Sequence, residues 1–203
     1  MKEVCGVNVF FDMLSAAVYA IFVQNLVFSG GYGASEAMRM AARPKRLAST
    51  ALMIVYFSTL TAVICRTLDN YDYIASQSQS IHFLIFAGAL TAVYFITCAL
   101  TFLILKPPKK LMTNFGIAAL NTLVLAIPLI NYRSSSTLWE SIGTGFGSGI
   151  AFVLATLLIS AGFSKLSSNK KIPPMFRGTP VMFIYTALLS LAFMGISGSN
   201  AFA

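Results

Sequence analysis

The residues able to do chemistry are few and far apart. Three cysteines, Cys5, Cys65 and Cys98, come from separate segments with no metal-ligand spacing. An odd, scattered set is not a disulfide framework either, and packing is the simpler role. The single histidine, His82, has no cysteine or carboxylate close by in the chain and reads as interfacial, a proton relay being the alternative. No pair of carboxylates falls within an apolar stretch. Asp12, just before an apolar run, reads as a helix N-cap at the outer interface, with an intramembrane acid as the other reading. Serines are plentiful, yet no Gly-x-Ser-x-Gly elbow or acid–base partner accompanies them. The glycines of "SIGTGFGSGIAF", residues 141–152, lack the Lys-Ser or Lys-Thr of a phosphate cradle. A self-contained active site is absent from the sequence, which points to a non-catalytic subunit of a larger machine or to a carrier.

The elements that must position these residues are set by the solvent. The chain has 203 residues, 57% hydrophobic and only 10% charged, with a mean hydropathy of +0.79. That composition belongs in lipid. A spanning helix needs about 20 mostly apolar residues. Six stretches qualify, at 13–28, 46–66, 81–105, 111–130, 141–163 and 180–196, giving one integral membrane domain over 1–203. Their continuous apolar character favours helices over barrel strands, which would alternate. The first span reads as a retained helix and not as a signal peptide, because Glu3 and Asp12 precede a long apolar run.

The net charge of +8 follows topology and not nucleic acid. Arg39, Arg43, Lys45 and Arg46 follow the first span, Lys106, Lys109 and Lys110 the third, and Lys165, Lys170, Lys171 and Arg177 the fifth. Lys2, Arg66 and Arg133 fall on the other side. The positive-inside rule then places loops one, three and five in the cytoplasm and both termini outside, with anionic lipid headgroups as partners for the charges.

Three spans in each half require opposite orientations if the halves share a fold, and inverted repeats commonly carry broken helices at matching positions. The first span runs into Gly30, Gly31 and Gly33; the fourth carries Pro128 and ends in serines. Glycine closes helices in left-handed conformations and proline removes a backbone donor. The expected fold is therefore all-α, six transmembrane helices as two inverted three-helix repeats with interrupted first and fourth helices. Each break is equally compatible with an ordinary helix end at the interface. Gly143, Gly147 and the Gly145-x-x-x-Gly149 spacing predict close helix packing.

The C-terminal "PPMFRG", residues 173–178, followed by "SLAFMGISG", residues 190–198, closely resembles the last loop and final helix of the RnfA and NqrE subunits. "IPLI", residues 127–130, is similar to that family's fourth helix, and "VQN", residues 23–25, to the Val-Asn-Asn of its first. The resemblance implies a membrane subunit of an ion-translocating ferredoxin:NAD or NADH:quinone oxidoreductase in the bacterial cytoplasmic (inner) membrane. It also implies a paired, paralogous six-helix partner, other redox subunits, and a [2Fe–2S] cluster shared by two cysteines from each member of the pair. Counted along the first and fourth helices, the family's cysteines fall on Ser35 and Ser134. A serine hydroxyl stays protonated at neutral pH and is a poor ligand for iron, so the chain is expected to keep the scaffold without its share of the cluster. It would then support electron transfer coupled to Na⁺ or H⁺ movement without carrying the electron. The alternatives are a stand-alone small-solute carrier, with Asn25, Ser35, Asn131 and Ser134 framing its site, and a structural or assembly protein on the same scaffold.

Overall fold

The computed structural model describes residues 2–42, 47–105 and 109–198. Arg43, Lys45, Arg46 and Lys106 lie outside them, as do the side chains of Lys2, Glu3, Cys5, Lys109 and Lys110. The helices are α1 (Lys2–Phe22), α2 (Leu26–Ser29), α3 (Ala34–Ala41), α4 (Leu47–Leu68), α5 (Asp72–Ala75), α6 (Gln79–Leu105), α7 (Lys109–Ala119), α8 (Thr122–Arg133), α9 (Leu138–Ser168) and α10 (Thr179–Ser197). No strand occurs among the described residues.

Among the described residues, five stretches are long and apolar enough to cross a membrane: Leu47–Leu68, Gln79–Ile104, Met112–Arg133, Leu138–Ser168 and Thr179–Ser197. The first expected span, 13–28, is divided, because α1 ends at Phe22 and the chain breaks before that stretch is complete. That break is at residues 23–25, and the expected break at the glycines follows it. The Val23 and Gln24 amides both donate to the Tyr19 carbonyl, at 2.9 and 2.8 Å, which ends α1. The Asn25 side chain then accepts from the Val27 amide and starts α2. The glycines act one step later, turning α2 into α3, with Gly31 and Gly33 at φ of +70° and +75°. In the fourth span the interruption falls at Leu120 and Asn121, and α8 runs without a break through Pro128. Asn121 caps α8 as Asn25 caps α2, accepting from the Leu123 amide at 3.0 Å. Asp12 is not a cap, because α1 begins well before it; it is an exposed residue within that helix.

The centre of the bundle is α9, which packs against α1 and α4 along its N-terminal half. Its glycines are sorted by face. Gly143 and Gly147 meet the α1 backbone at Met13 and Ala17, while Gly145 and Gly149 meet α4 at Ser58–Thr59 and Val55. Lipid supplies no hydrophobic force between helices, so such small residues let backbones approach and gain dispersion contacts. Ser58 Oγ adds a hydrogen bond to the Gly145 carbonyl at 2.8 Å. Phe57, Phe152, Ile54, Leu123, Ile127 and Ile159 fill the space between the glycine seams and the half-helices.

The remaining contacts fall in pairs. Helix α1 packs on α9 as α7 packs on α4; α2 and α3 lie on α9 as α8 lies on α4. Helix α10 touches α2 and α9, and α6 touches α8 and α4. The start of α9 carries a full capping box: Glu140 N to Thr137 Oγ1 at 3.3 Å and Thr137 N to the Glu140 carboxylate at 2.6 Å. Thr137→Ala is expected to lower stability by about 1 kcal/mol, measured as a fall in detergent-solubilised Tm.

Candidate functional site at the two half-helix junctions

The junctions of the two interrupted helices meet in the fold. Gly33, in the turn after α2, donates its amide to Thr122 Oγ1 at 2.9 Å. The contact is tight: a Cβ on Gly33 would lie 2.8 Å from Asn121 Oδ1 and 3.2 Å from Leu123 Cβ. A side chain is excluded twice there, by space and by the positive φ. Ser35 sits two residues on, exposed in the first turn of α3, and Thr122 is exposed in the first turn of α8. Leu120 stands beside them, 75% exposed. An exposed polar pair bordered by an apolar side chain is a surface that a second protein can cover.

Asn25 locks the first junction from inside. It is fully buried, its amide donating to the Ile21 carbonyl at 3.3 Å and the Ala151 carbonyl at 3.4 Å, across to α9. Its side-chain oxygen is used in capping α2. Asn131 is likewise buried and accepts from Thr144 Oγ1 at 2.9 Å. Neither residue frames an open solute site. Asn25→Ala is expected to cost roughly 2–3 kcal/mol, combining a lost cap with an unpaired buried carbonyl. A Tm comparison with wild type checks it.

Ser134 is not with Ser35. It ends α8, whose other end bears Thr122, so the two lie about 18 Å apart along the helix axis at 1.5 Å per residue. Its hydroxyl lies 2.9 Å from the Ile130 carbonyl and 2.7 Å from Ser136 Oγ. With Tyr19, Gln24, Glu140 and Thr144 it lines an open cleft of about 500 Å³. No hydrogen bond joins Ser35 to Ser134 among the described residues. Thr122 was hidden from sequence reasoning, because only the contact with Gly33 brings it beside Ser35; the signal available was the Asn-capped start shared by α2 and α8.

An iron–sulfur cluster does not fit the donors present. Both residues at the junction are hydroxyl-bearing, Cys65 is buried within α4, and Cys98 lies within α6. No group of three or more His, Cys, Asp or Glu side chains is arranged to hold a metal among the described residues.

His82 has the carboxylate neighbour that its stretch of chain lacks. It is fully buried in the first turn of α6, its Nε2 lies 3.5 Å from Asp69 Oδ1, and its ring stacks on Tyr132 at 4.0 Å between centroids. The carboxylate comes from the loop after α4, brought close only by the packing of α4, α6 and α8. Burial pushes the Asp69 carboxyl above its usual range, against the opposing pull of His82 and Arg66. Beside this pair, Gln79, oriented with its oxygen toward α8, accepts from Arg133 Nε at 2.7 Å and from Nη2.

The C-terminal loop is closed by its own arginine. Arg177 donates from Nε to the Ile172 carbonyl and from Nη2 to the Lys170 carbonyl, both at 2.9 Å, around the short 3₁₀ turn Pro174–Phe176.

Comparison with known proteins identifies the family. The family model described as "Rnf-Nqr subunit, membrane protein" matches residues 13–199. The A subunit of the ion-translocating oxidoreductase complex of Colwellia psychrerythraea is 27% identical over 191 residues, covering 92% of this chain and 97% of that protein. The protein of the same name from Aromatoleum aromaticum is 30% identical over 181 residues, 87% of this chain and 91% of its own. With the match running across both half-helix junctions, the glycine seams of α9 and the Arg177 loop, the chain belongs to the Rnf-Nqr family of membrane-protein subunits.

Proposed function

We propose that this chain is one half of a pseudo-symmetric pair of membrane subunits in an Rnf- or Nqr-type ion-translocating oxidoreductase complex of a bacterial cytoplasmic membrane. It supports electron transfer coupled to Na⁺ or H⁺ movement as scaffold and ion-path component, without a share in the [2Fe–2S] cluster. The observation that carries this reading is the docked junction, where Gly33 meets Thr122 and the exposed Ser35 and Thr122 stand where a partner can cover them. The family's cluster position is assigned to Ser35 and Thr122, since two ligands of one cluster must be neighbours. Two hydroxyls there would leave iron without the thiolates it needs.

Six spans in two inverted repeats follow from the same reading. It is supported by the paired helix contacts and by the matching asparagine caps at α2 and α8. The charge distribution supports both termini outside.

The test is affinity purification of the tagged protein from native membranes in mild detergent, with mass spectrometry of the co-purifying chains and an iron assay. Flavin or iron–sulfur subunits are expected, together with a paralogous six-helix membrane protein. Recovery of the chain alone as a monomer or homo-oligomer would overturn the proposal in favour of a carrier.

A further inference from the structure

Asp69 and His82 are separate from the half-helix junctions. Asp69 follows the last residue of α4 and His82 lies in the first turn of α6, with side-chain exposures of 5% and 0%. Tyr132 of α8 covers one face of the imidazole, and Phe86 meets it edge-on at 5.7 Å between ring centroids.

The hydrogen bonding fixes where the imidazole hydrogen must be. His82 Nδ1 is 3.2 Å from the Ser78 carbonyl oxygen. A carbonyl only accepts, so Nδ1 carries the hydrogen of the neutral ring. Nε2 then turns a lone pair toward Asp69 Oδ1 at 3.5 Å, and neither atom has a hydrogen-bond partner. Two buried acceptors facing one another is the arrangement that folding avoids. One added proton replaces this repulsion with attraction, as imidazolium facing carboxylate or as imidazole facing carboxylic acid.

We propose that Asp69 and His82 together form a binding site for a single proton, at the end of the bundle where α4 finishes and α6 begins. The proton belongs to the pair, as in other strongly coupled acid–base sites. Among the surrounding charged and titratable groups, Arg66 of α4 acts on Asp69, and Asp69 in turn acts on Cys65 of α4. Asp72 of α5 is exposed, Tyr132 of α8 stacks on the ring, and Arg133 of α8 is taken up by Gln79. Burial disfavours the carboxylate and Arg66 favours it, so the proton is held by the pair and not by either group alone. Release of the proton restores the opposed lone pairs beneath Tyr132, which ties occupancy of the site to the packing of α6 against α8. The site stands on this geometry and does not depend on membership of a larger complex.

His82 is the chain's one histidine, so ¹⁵N-histidine labelling of the full-length protein, with an affinity tag free of histidine, gives a single imidazole to observe. At about pH 7.5 the wild type is expected to show Nδ1 bonded to hydrogen and Nε2 bonded to, or sharing, a proton. Asp69→Ala is expected to release that proton and shift Nε2 far downfield to the position of a free basic nitrogen. A free Nε2 in the wild type overturns the proposal even if the variant does not fold. A spectrum unchanged by Asp69→Ala overturns it too, and a signal altered by chelator identifies a metal ion in place of the proton.

Discussion

Gly147→Leu in α9 is expected to abolish recovery of folded, monodisperse protein from membranes. A Cβ at this position alone would lie 2.5 Å from the Ala17 carbonyl oxygen and 2.8 Å from its Cα. Both are backbone atoms of α1, so the clash cannot be relieved by a side-chain rotation. Overpacking in a dense interior costs about 1–3 kcal/mol where neighbours can shift, and here the shift required is of a whole helix. The loss also propagates, since α9 holds α1 on one face and α4 on the other. Gly88→Leu in α6 is the control: nothing lies within 4 Å of a Cβ there, and its size-exclusion profile should match wild type. Equal behaviour of the two variants would show that the α1–α9 seam is not a close backbone contact.

Ser35→Cys combined with Thr122→Cys is expected to bring iron and a visible absorption band to the purified complex, since neither position supplies a thiolate in the wild type. The partner's cysteines would complete the ligand set. Ser35→Cys with Ser134→Cys should bring none, because about 18 Å of helix separates Ser134 from the junction. Iron in the second double variant but not the first would reverse the assignment of Thr122. Iron in neither would count against a partner bearing cysteines at this face.

Much of this protein is determined by its sequence alone. Long apolar runs without alternation can satisfy their backbone in lipid only as helices, so the helical bundle and most span positions follow from composition and periodicity. The glycines of residues 143–149 likewise announce close packing, since small side chains have few other uses in a membrane helix. The C-terminal loop and final helix carry enough specific residues to place the family.

Where the helices break was less legible. Gly30, Gly31 and Gly33 do mark a break, but Pro128 does not, and two further breaks fall at Val23–Asn25 and Leu120–Asn121. Each has an asparagine able to cap the next half-helix, and Asn25 reaches across to Ala151 of α9. Capping and tertiary hydrogen bonds set these two breaks, and an isolated asparagine does not reveal that it has such partners.

Only the tertiary structure decided which polar residues meet. Gly33 and Thr122 are 89 positions apart and join through one hydrogen bond, so counting along α8 could not reveal that its first turn meets Gly33, two residues before Ser35. Asp69 and His82 belong to different helix ends, and their opposed, unpartnered atoms arise from the packing of α4, α6 and α8. Sequence patterns report the solvent each segment must face; contacts between segments depend on interhelical packing, which no local pattern encodes.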